Sequence, residues 1–369
     1  MAEPAAPSFG TRAAAAIAEH GPLCVGIDAH PSLLEAWGLP QTPAGLLRFS
    51  IGVVEALEGR VAAIKPQVAW YEAYGSSGMG VLEQTLEACR QAGILSIADA
   101  KRGDIGSTMQ AYARTWLAEE SSLRADAVTL SPYLGAGALE PAFELAEATG
   151  RGTFVLALTS NPEGASVQHR GAPESVAAAV AEAVSQRNSG ALSASVQVMP
   201  GEDSHYDRFV TGPHGLVVGA TTGEAIAQVG VDLAGLDGLV LAPGYGAQGA
   251  TAQDLGAMFA QVRGRVLVNS SRGILAAGPE PQALQGTVSA AQAELSPELS
   301  AASTAPAASR GTRSTGVSAQ VRYHLRYDHS NECAYSCASA STSILVGSWA
   351  NGERELVFRG RNRSWHCAC

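Results

Sequence analysis

The sequence predicts an α/β protein, a (β/α)8 TIM barrel followed by a disordered or poorly structured C-terminal extension. Three observations predict it. Eight short apolar runs rich in β-branched residues recur at fairly regular intervals. Alanine-rich stretches with helical spacing separate them, and reactive polar residues recur at the C-terminal ends of the runs.

The runs are LCVGID (23–28), VAAIKP (61–66), ILSIADAK (94–101), AVTLSP (127–132), TFVLALT (153–159), GLVVGAT (215–221), GLVLAPG (238–244) and VLVNSS (266–271). Each is almost continuously apolar, as strands covered on both faces are in a parallel sheet. Between them, Leu46–Leu57, Gly80–Ala92, Leu139–Ala148, Pro173–Ser185 and Ala252–Val262 read as helices. A doubly wound open sheet fits less well, because no G-x-G-x-x-G follows the first run. The barrel domain is placed at residues 1–295, and within it residues 187–213, polar and glycine-containing, read as a surface loop. Residues 296–320, rich in Ser, Ala, Pro and Gly, read as a flexible linker, and 321–369 as an Arg/Ser/Cys-rich tail with no packed core.

The formal charge of −10 divides unevenly: residues 1–300 carry 16 basic and 30 acidic side chains, and residues 301–369 carry 8 and 4. So acidic a barrel argues against non-specific nucleic-acid binding, while a local pocket for one phosphate stays compatible with it. No apolar run reaches membrane-spanning length, so no membrane partner is expected. The opening MAEPAAPSFGTR lacks the basic start and apolar stretch of a secretory signal, and a cytoplasmic location is expected. Cys24 and Cys89 lie in apolar segments and read as buried, reduced thiols. In the tail, Cys333, Cys337, His366, Cys367 and Cys369 do not follow a standard zinc-ligand spacing, and no metal site is expected.

Only two residues are lysine, Lys65 and Lys101; every other cationic side chain among the 24 Lys and Arg residues is arginine. Arginine keeps its proton under all ordinary conditions, whereas a lysine ammonium can deliver one. Both lysines stand at the ends of apolar runs, beside carboxylates. In ADAKRGDIGST (98–108), Asp99 and Lys101 are two apart and so share a face of a strand. Asp104, past Gly103, can turn a second carboxylate toward the same ammonium. Such a cluster keeps the lysine charged and sets carboxylates against a ground-state anion. At the last two strand ends, APGYGAQGAT (242–251) offers backbone N–H groups to an anion, and Arg272 in NSSRGI has the fork geometry for a phosphate.

The segments GIDAHP, IKPQ, DAKRGDIGST, LTSNPEG, APGYGAQG and SSRG occur in the order and spacing of the orotidine 5′-phosphate decarboxylase family. The chain most resembles that family's longer bacterial branch, from about residue 8 to about residue 295. The resemblance implies cofactor-free loss of carbon dioxide from orotidine 5′-monophosphate to give uridine 5′-monophosphate, the last step of pyrimidine nucleotide synthesis. It implies that Lys101 protonates the C6 carbanion and that Asp99 sits against the substrate carboxylate. It also implies a homodimer with shared active sites, in which Asp104, Ile105 and Thr108 reach the neighbouring subunit's site. Lys65 and Asp28 would bind the ribose and Ser160 the pyrimidine. Gln248 and Arg272 would hold the phosphate, with Pro243 and Gly249 of the same loop contacting the substrate. Two alternatives stay open: a magnesium-dependent sugar-phosphate lyase of the same suprafamily, and a non-catalytic nucleotide-binding protein.

Overall fold

The computed structural model describes residues 7–196, 210–246 and 249–301, together with strands Ser343–Val346, Glu355–Gly360 and Arg363–Ala368. Strands β1 (Leu23–Ile27), β2 (Ala63–Pro66), β3 (Leu95–Arg102), β4 (Ala127–Leu130), β5 (Gly152–Leu158), β6 (His214–Val218), β7 (Val240–Pro243) and β8 (Val266–Ser270) follow one another round a closed barrel. Neighbours are parallel, and β1 pairs with β8 to close it. Each of the eight apolar runs supplies one strand.

Helix α1 (Phe9–His20) precedes the barrel. Among the helices that follow are α2 (Pro43–Leu57), α3 (Gly75–Gln91), α4 (Gly106–Leu117), α5 (Glu140–Ala148), α6 (Val176–Val196), α7 (Gly223–Gln228), α8 (Ala252–Met258) and α9 (Pro281–Leu299). Local chemistry sets several starts. Thr42 caps α2 by accepting from the Gly45 amide, with Pro43 in the first turn. Thr251 and Asp254 form a reciprocal capping box on α8. Helix α4 lies outside the stretches the spacing predicts, because it begins within the polar DAKRGDIGST segment, where an apolar period is hidden.

Two boundaries differ from the sequence reading. The stretch from 187 to 196 continues α6 instead of forming a loop, and its polar Asn188 is used internally. Asn188 is fully buried; its amide donates to the His214 and Leu236 carbonyls at 2.8 and 2.9 Å and accepts from the His214 amide at 3.0 Å. Thr211 and His214 are buried as well, while residues 197–209 lie outside the described residues. The barrel unit also runs past 295. Helix α9 ends at Leu299, with Leu295 and Leu299 fully buried and the Leu299 carbonyl accepting from Gly264.

The chain divides into two units, Met1–Thr304 and Ala305–Cys369. In the second, the described strands β9 (Ser343–Val346), β10 (Glu355–Gly360) and β11 (Arg363–Ala368) form an antiparallel sheet in the order β11-β10-β9. The tail cysteines and His366 lie outside the described side chains. Cys24 and Cys89 are free and buried, as the sequence predicts.

Inside the barrel, Phe9 of α1 closes the base, its ring edge-on to Phe154 at 5.8 Å between centroids. A Cβ on Gly152 would lie 2.1 Å from the Phe9 ring, and one on Gly215 would lie 2.5 Å from Phe154, so both positions are bare to admit the aromatics. Above them the interior is apolar, with Ala63, Ile97, Ala127, Leu241 and Leu267. Two residues further along the same strands stand Lys65, Asp99, Thr129, Pro243 and Asn269, all lining the mouth. The period of two thus turns an apolar layer into a functional one within a single step.

Near the base, His214 is fully buried, with Nδ1 3.0 Å from the Thr153 hydroxyl and Nε2 3.0 Å from Glu147. Burial lowers its pKa, and this outweighs the opposing pull of the Glu147 carboxylate. The folded state therefore favours neutral His214. Its contribution is complete above the unfolded value of about 6.5 and is lost as pH falls from there through the lowered folded value. Urea unfolding should show less stability at pH 5.5 than at pH 7.5. His214→Gln should reduce that difference, and an unchanged difference would remove His214 as its source.

Candidate active site

The mouth is a cavity of about 250 Å³ at the C-terminal ends of the strands. At its floor lies Asp99 on β3, only 8 % exposed. Lys65 Nζ donates to its Oδ2 at 2.5 Å and Lys101 Nζ to its Oδ1 at 2.5 Å. Gln67 donates to Oδ2 at 3.1 Å and Thr129 to Oδ1 at 3.0 Å. Four donors thus serve the two oxygens, which satisfies a buried carboxylate. Burial alone would raise the Asp99 pKa, but Lys65 and Lys101 overcome it and hold the carboxyl well below the usual range. Burial would likewise lower Lys65, but Asp99 and Asp28 overcome it and keep that ammonium charged.

Within one chain the cluster is therefore one carboxylate between two ammoniums. The arrangement expected from spacing, two carboxylates flanking Lys101, does not form, because Asp104 has left the strand. Asp104 caps its own turn by accepting from the Ile105 amide at 2.8 Å, and it does not line the cavity. Ile105 is 63 % exposed and Thr108 is exposed, both at the start of α4 and outside the cavity wall. The two lysines differ in access. The Lys101 side chain is 46 % exposed, whereas that of Lys65 is 4 % exposed beneath it. Lys101 reaches Asp99 despite a break in strand alternation, since its φ is 49° and the β3–β4 register shifts there.

Asp28, just past β1, also lines the cavity, and its Oδ1 is buried with no hydrogen-bond partner among the described residues. A buried carboxylate oxygen without a donor calls for one from a ligand, such as a hydroxyl. Cys24, one layer below, is pushed up to about 12 by burial and stays a thiol. After β5, Ser160 lines the wall, and Gln168 clamps its loop by accepting from the Thr159 amide and donating to the Thr159 hydroxyl, both at 2.8 Å.

On the far side, Pro243 ends β7 and lines the cavity with Gly244 and Tyr245. Gly244, Gly246 and Gly249 have φ of 119°, 71° and 90°, a turn that only glycines form without strain. Gly249 lies in this turn outside the cavity wall, and Gln248 lies outside the described residues. Tyr245 donates to Glu294 of α9 at 2.6 Å, tying the turn to the last helix. Arg272, beyond β8, lines the cavity and has no ion-pair partner among the described residues. A lone guanidinium beside a glycine turn at these strand ends suits an anion.

Sequence reasoning did not assign Gln67, Thr129, Gln168, Tyr245 or Asn269. Gln67 and Thr129 were visible as polar residues at or next to strand ends; Gln168 carried no local signal. A larger groove of about 960 Å³ on the outer surface is lined by Glu55, Glu58, Glu83 and Glu87. It contains no strand-end residue, so the mouth holds the chemistry.

Fold and site together define a (β/α)8 barrel enzyme whose centre is a lysine–aspartate–lysine cluster. Residues 21–286 match the orotidine 5′-phosphate decarboxylase / HUMPS family. The chain is 52% identical over 281 residues to the orotidine 5′-phosphate decarboxylase of Salinispora tropica, covering 76% of this chain and 94% of that one. It is 49% identical over 279 residues to the enzyme of the same name from Streptomyces coelicolor, covering 75% and 93%. Among solved structures, one from Streptomyces avermitilis assigned to the same enzyme superposes with a TM-score of 0.70 at 45% identity, covering 80% of this chain and 97% of that one. The OMP decarboxylase of Leishmania donovani gives 0.57 at 28%, covering 77% and 99%. The chain belongs to the orotidine 5′-phosphate decarboxylase / HUMPS family.

Asp99→Asn keeps the side chain's shape and removes the charge that compensates Lys65. Breaking a buried ion pair from one side should lower the unfolding free energy by about 3–5 kcal/mol in urea titration. A loss below about 1 kcal/mol would show that Lys65 finds another partner.

Proposed function

We propose that this protein decarboxylates orotidine 5′-monophosphate to uridine 5′-monophosphate, completing pyrimidine nucleotide synthesis, by a cofactor-free mechanism. The observation that carries this reading is the Asp99 carboxylate fixed between Lys65 and Lys101 at the mouth, in a chain about half identical to decarboxylases along most of their length.

In this reading the substrate carboxylate lies against Asp99, whose charge disfavours the ground state. As the bond from C6 to the carboxylate carbon breaks, carbon dioxide leaves and the electron pair stays on C6. Lys101 Nζ then gives its proton to that carbon and becomes a neutral amine, which solvent reprotonates. The half-exposed ammonium of Lys101 suits contact with substrate, and the buried Lys65 suits holding Asp99 ionised. Asp28 Oδ1, lacking a donor, takes a ribose hydroxyl. Ser160 meets the pyrimidine, and Pro243, Gln248, Gly249 and Arg272 form the phosphate end. Binding energy gathered at the phosphate is then available to the transition state at C6.

Asp104, Ile105 and Thr108 stand outside their own cavity and serve the site of a second copy in a homodimer. The exposed apolar side chains Ile105, Tyr133 and Leu134 supply the contact face. The barrel unit through Leu299 is the catalytic domain.

Mixing purified full-length protein with orotidine monophosphate in EDTA and following ultraviolet absorbance tests the reading. Turnover is expected; silence with orotidine monophosphate, together with magnesium-dependent turnover of a 3-keto-gulonate or hexulose phosphate, would favour the sugar-phosphate lyase branch instead. Lys101→Ala should lower kcat by at least about 100-fold while uridine monophosphate still binds. Arg272→Ala should weaken the monophosphate far more than the nucleoside. Full activity in Lys101→Ala would remove the mechanism.

A further inference from the structure

The β3–β4 seam is irregular where the site is built. Ile97 pairs with Ala127 and Ala98 with Val128, and pairing resumes only at Arg102 with Leu130. Across that gap β3 carries Asp99, Ala100 and Lys101, while β4 carries Thr129 alone. The surplus on β3 is taken up at Lys101, whose φ of 49° lies in the left-handed region that residues with side chains seldom occupy. A residue turned out of the ladder in this way needs a new acceptor for its amide.

Thr129 provides it. The Lys101 amide donates to Thr129 Oγ1 at 2.9 Å, and the same hydroxyl lies 3.0 Å from Asp99 Oδ1. The direction of the second bond is forced. An amide N–H only donates, so the hydroxyl accepts there, and its own proton goes to the carboxylate. Thr129 is 1 % exposed, so water has no access to substitute for either bond. Gln67 also donates to Asp99 but on the other oxygen, and it makes no bond to the Lys101 backbone.

We infer that Thr129 is a positioning residue: through one hydroxyl it fixes the Asp99 carboxylate and the backbone from which Lys101 projects, and so sets where Lys101 delivers its proton. The inference rests on the decarboxylation proposed above. The Thr129 hydroxyl bonds to Asp99 and the Lys101 amide on β3, across the closed barrel from the β7 and β8 ends that carry the glycine turn and Arg272, so its loss should fall on the chemical step and leave nucleotide binding intact.

Thr129→Val keeps the shape and removes the hydroxyl; Thr129→Ser keeps the hydroxyl and removes a methyl. With orotidine monophosphate as substrate, Thr129→Val should lose roughly 10- to 100-fold in kcat. Its affinity for uridine monophosphate should change by less than about threefold, and Thr129→Ser should recover most of the lost rate. Thr129→Ala, with the same expected loss of kcat, serves where the valine variant does not fold. Wild-type kcat in a folded Val or Ala variant would overturn the inference. So would a parallel loss of rate and nucleotide affinity that serine fails to rescue, which would make Thr129 a residue of barrel stability alone. If the wild-type chain itself does not turn over the substrate, the functional reading falls and this inference falls with it.

Discussion

A buried carboxylate held ionised by two ammoniums is the constraint on which this structure turns. Asp99 is almost out of reach of water, and a charge so placed is tolerable only when every oxygen is served. Lys65, Gln67, Lys101 and Thr129 serve it, from β2 and the turn after it, from β3 itself and from β4. The Asp99 carboxylate is thus saturated with internal bonds. On the opposite arc, the glycine turn after β7 and Arg272 face the same cavity with donors that suit an incoming molecule. A charged centre and a rim whose donors suit an anion thus occupy separate arcs of one barrel.

The base of the barrel is organised on other terms. Phe9 and Phe154 fill it, two glycines make room for them, and Asn188, His214 and Glu147 tie α6 and α5 to the starts of the strands. None of these side chains lines the mouth cavity. Stability concentrates at one end and chemistry at the other, the division of labour that lets barrels vary their active sites while keeping their cores.

Much of this was legible in the sequence because the barrel repeats one simple signal. Eight apolar runs ended where polar residues began, and Asp99, Lys101, Lys65, Asp28 and Arg272 could be placed at one mouth from that pattern alone. Three features escaped it for physical reasons. Asn188 is polar yet buried, so a helix read as a loop. The bend at Lys101 comes from pairing across a seam, which a period of two along one strand cannot contain. The contribution of Thr129 follows from that bend and escaped with it, because an isolated threonine in an apolar run looks like any β-branched strand residue. The continuation of α6 past Arg187 and the end of α9 follow tertiary burial of Asn188, Leu295 and Leu299, which overrode polar composition and a proline within the last helix.

The base plug also bears on how the chain is made. Phe9 belongs to a helix made before any strand of the barrel, but the ring it packs against belongs to β5, and β1 finds its second neighbour only in β8. Synthesis from the N-terminus therefore leaves α1 without its seat and one edge of β1 unpaired until most of the barrel has been made. Nascent chains of intermediate length expose a sheet edge and an aromatic anchor together, the two features that invite association with other chains. For this topology, solubility during synthesis depends on how soon the last strand arrives.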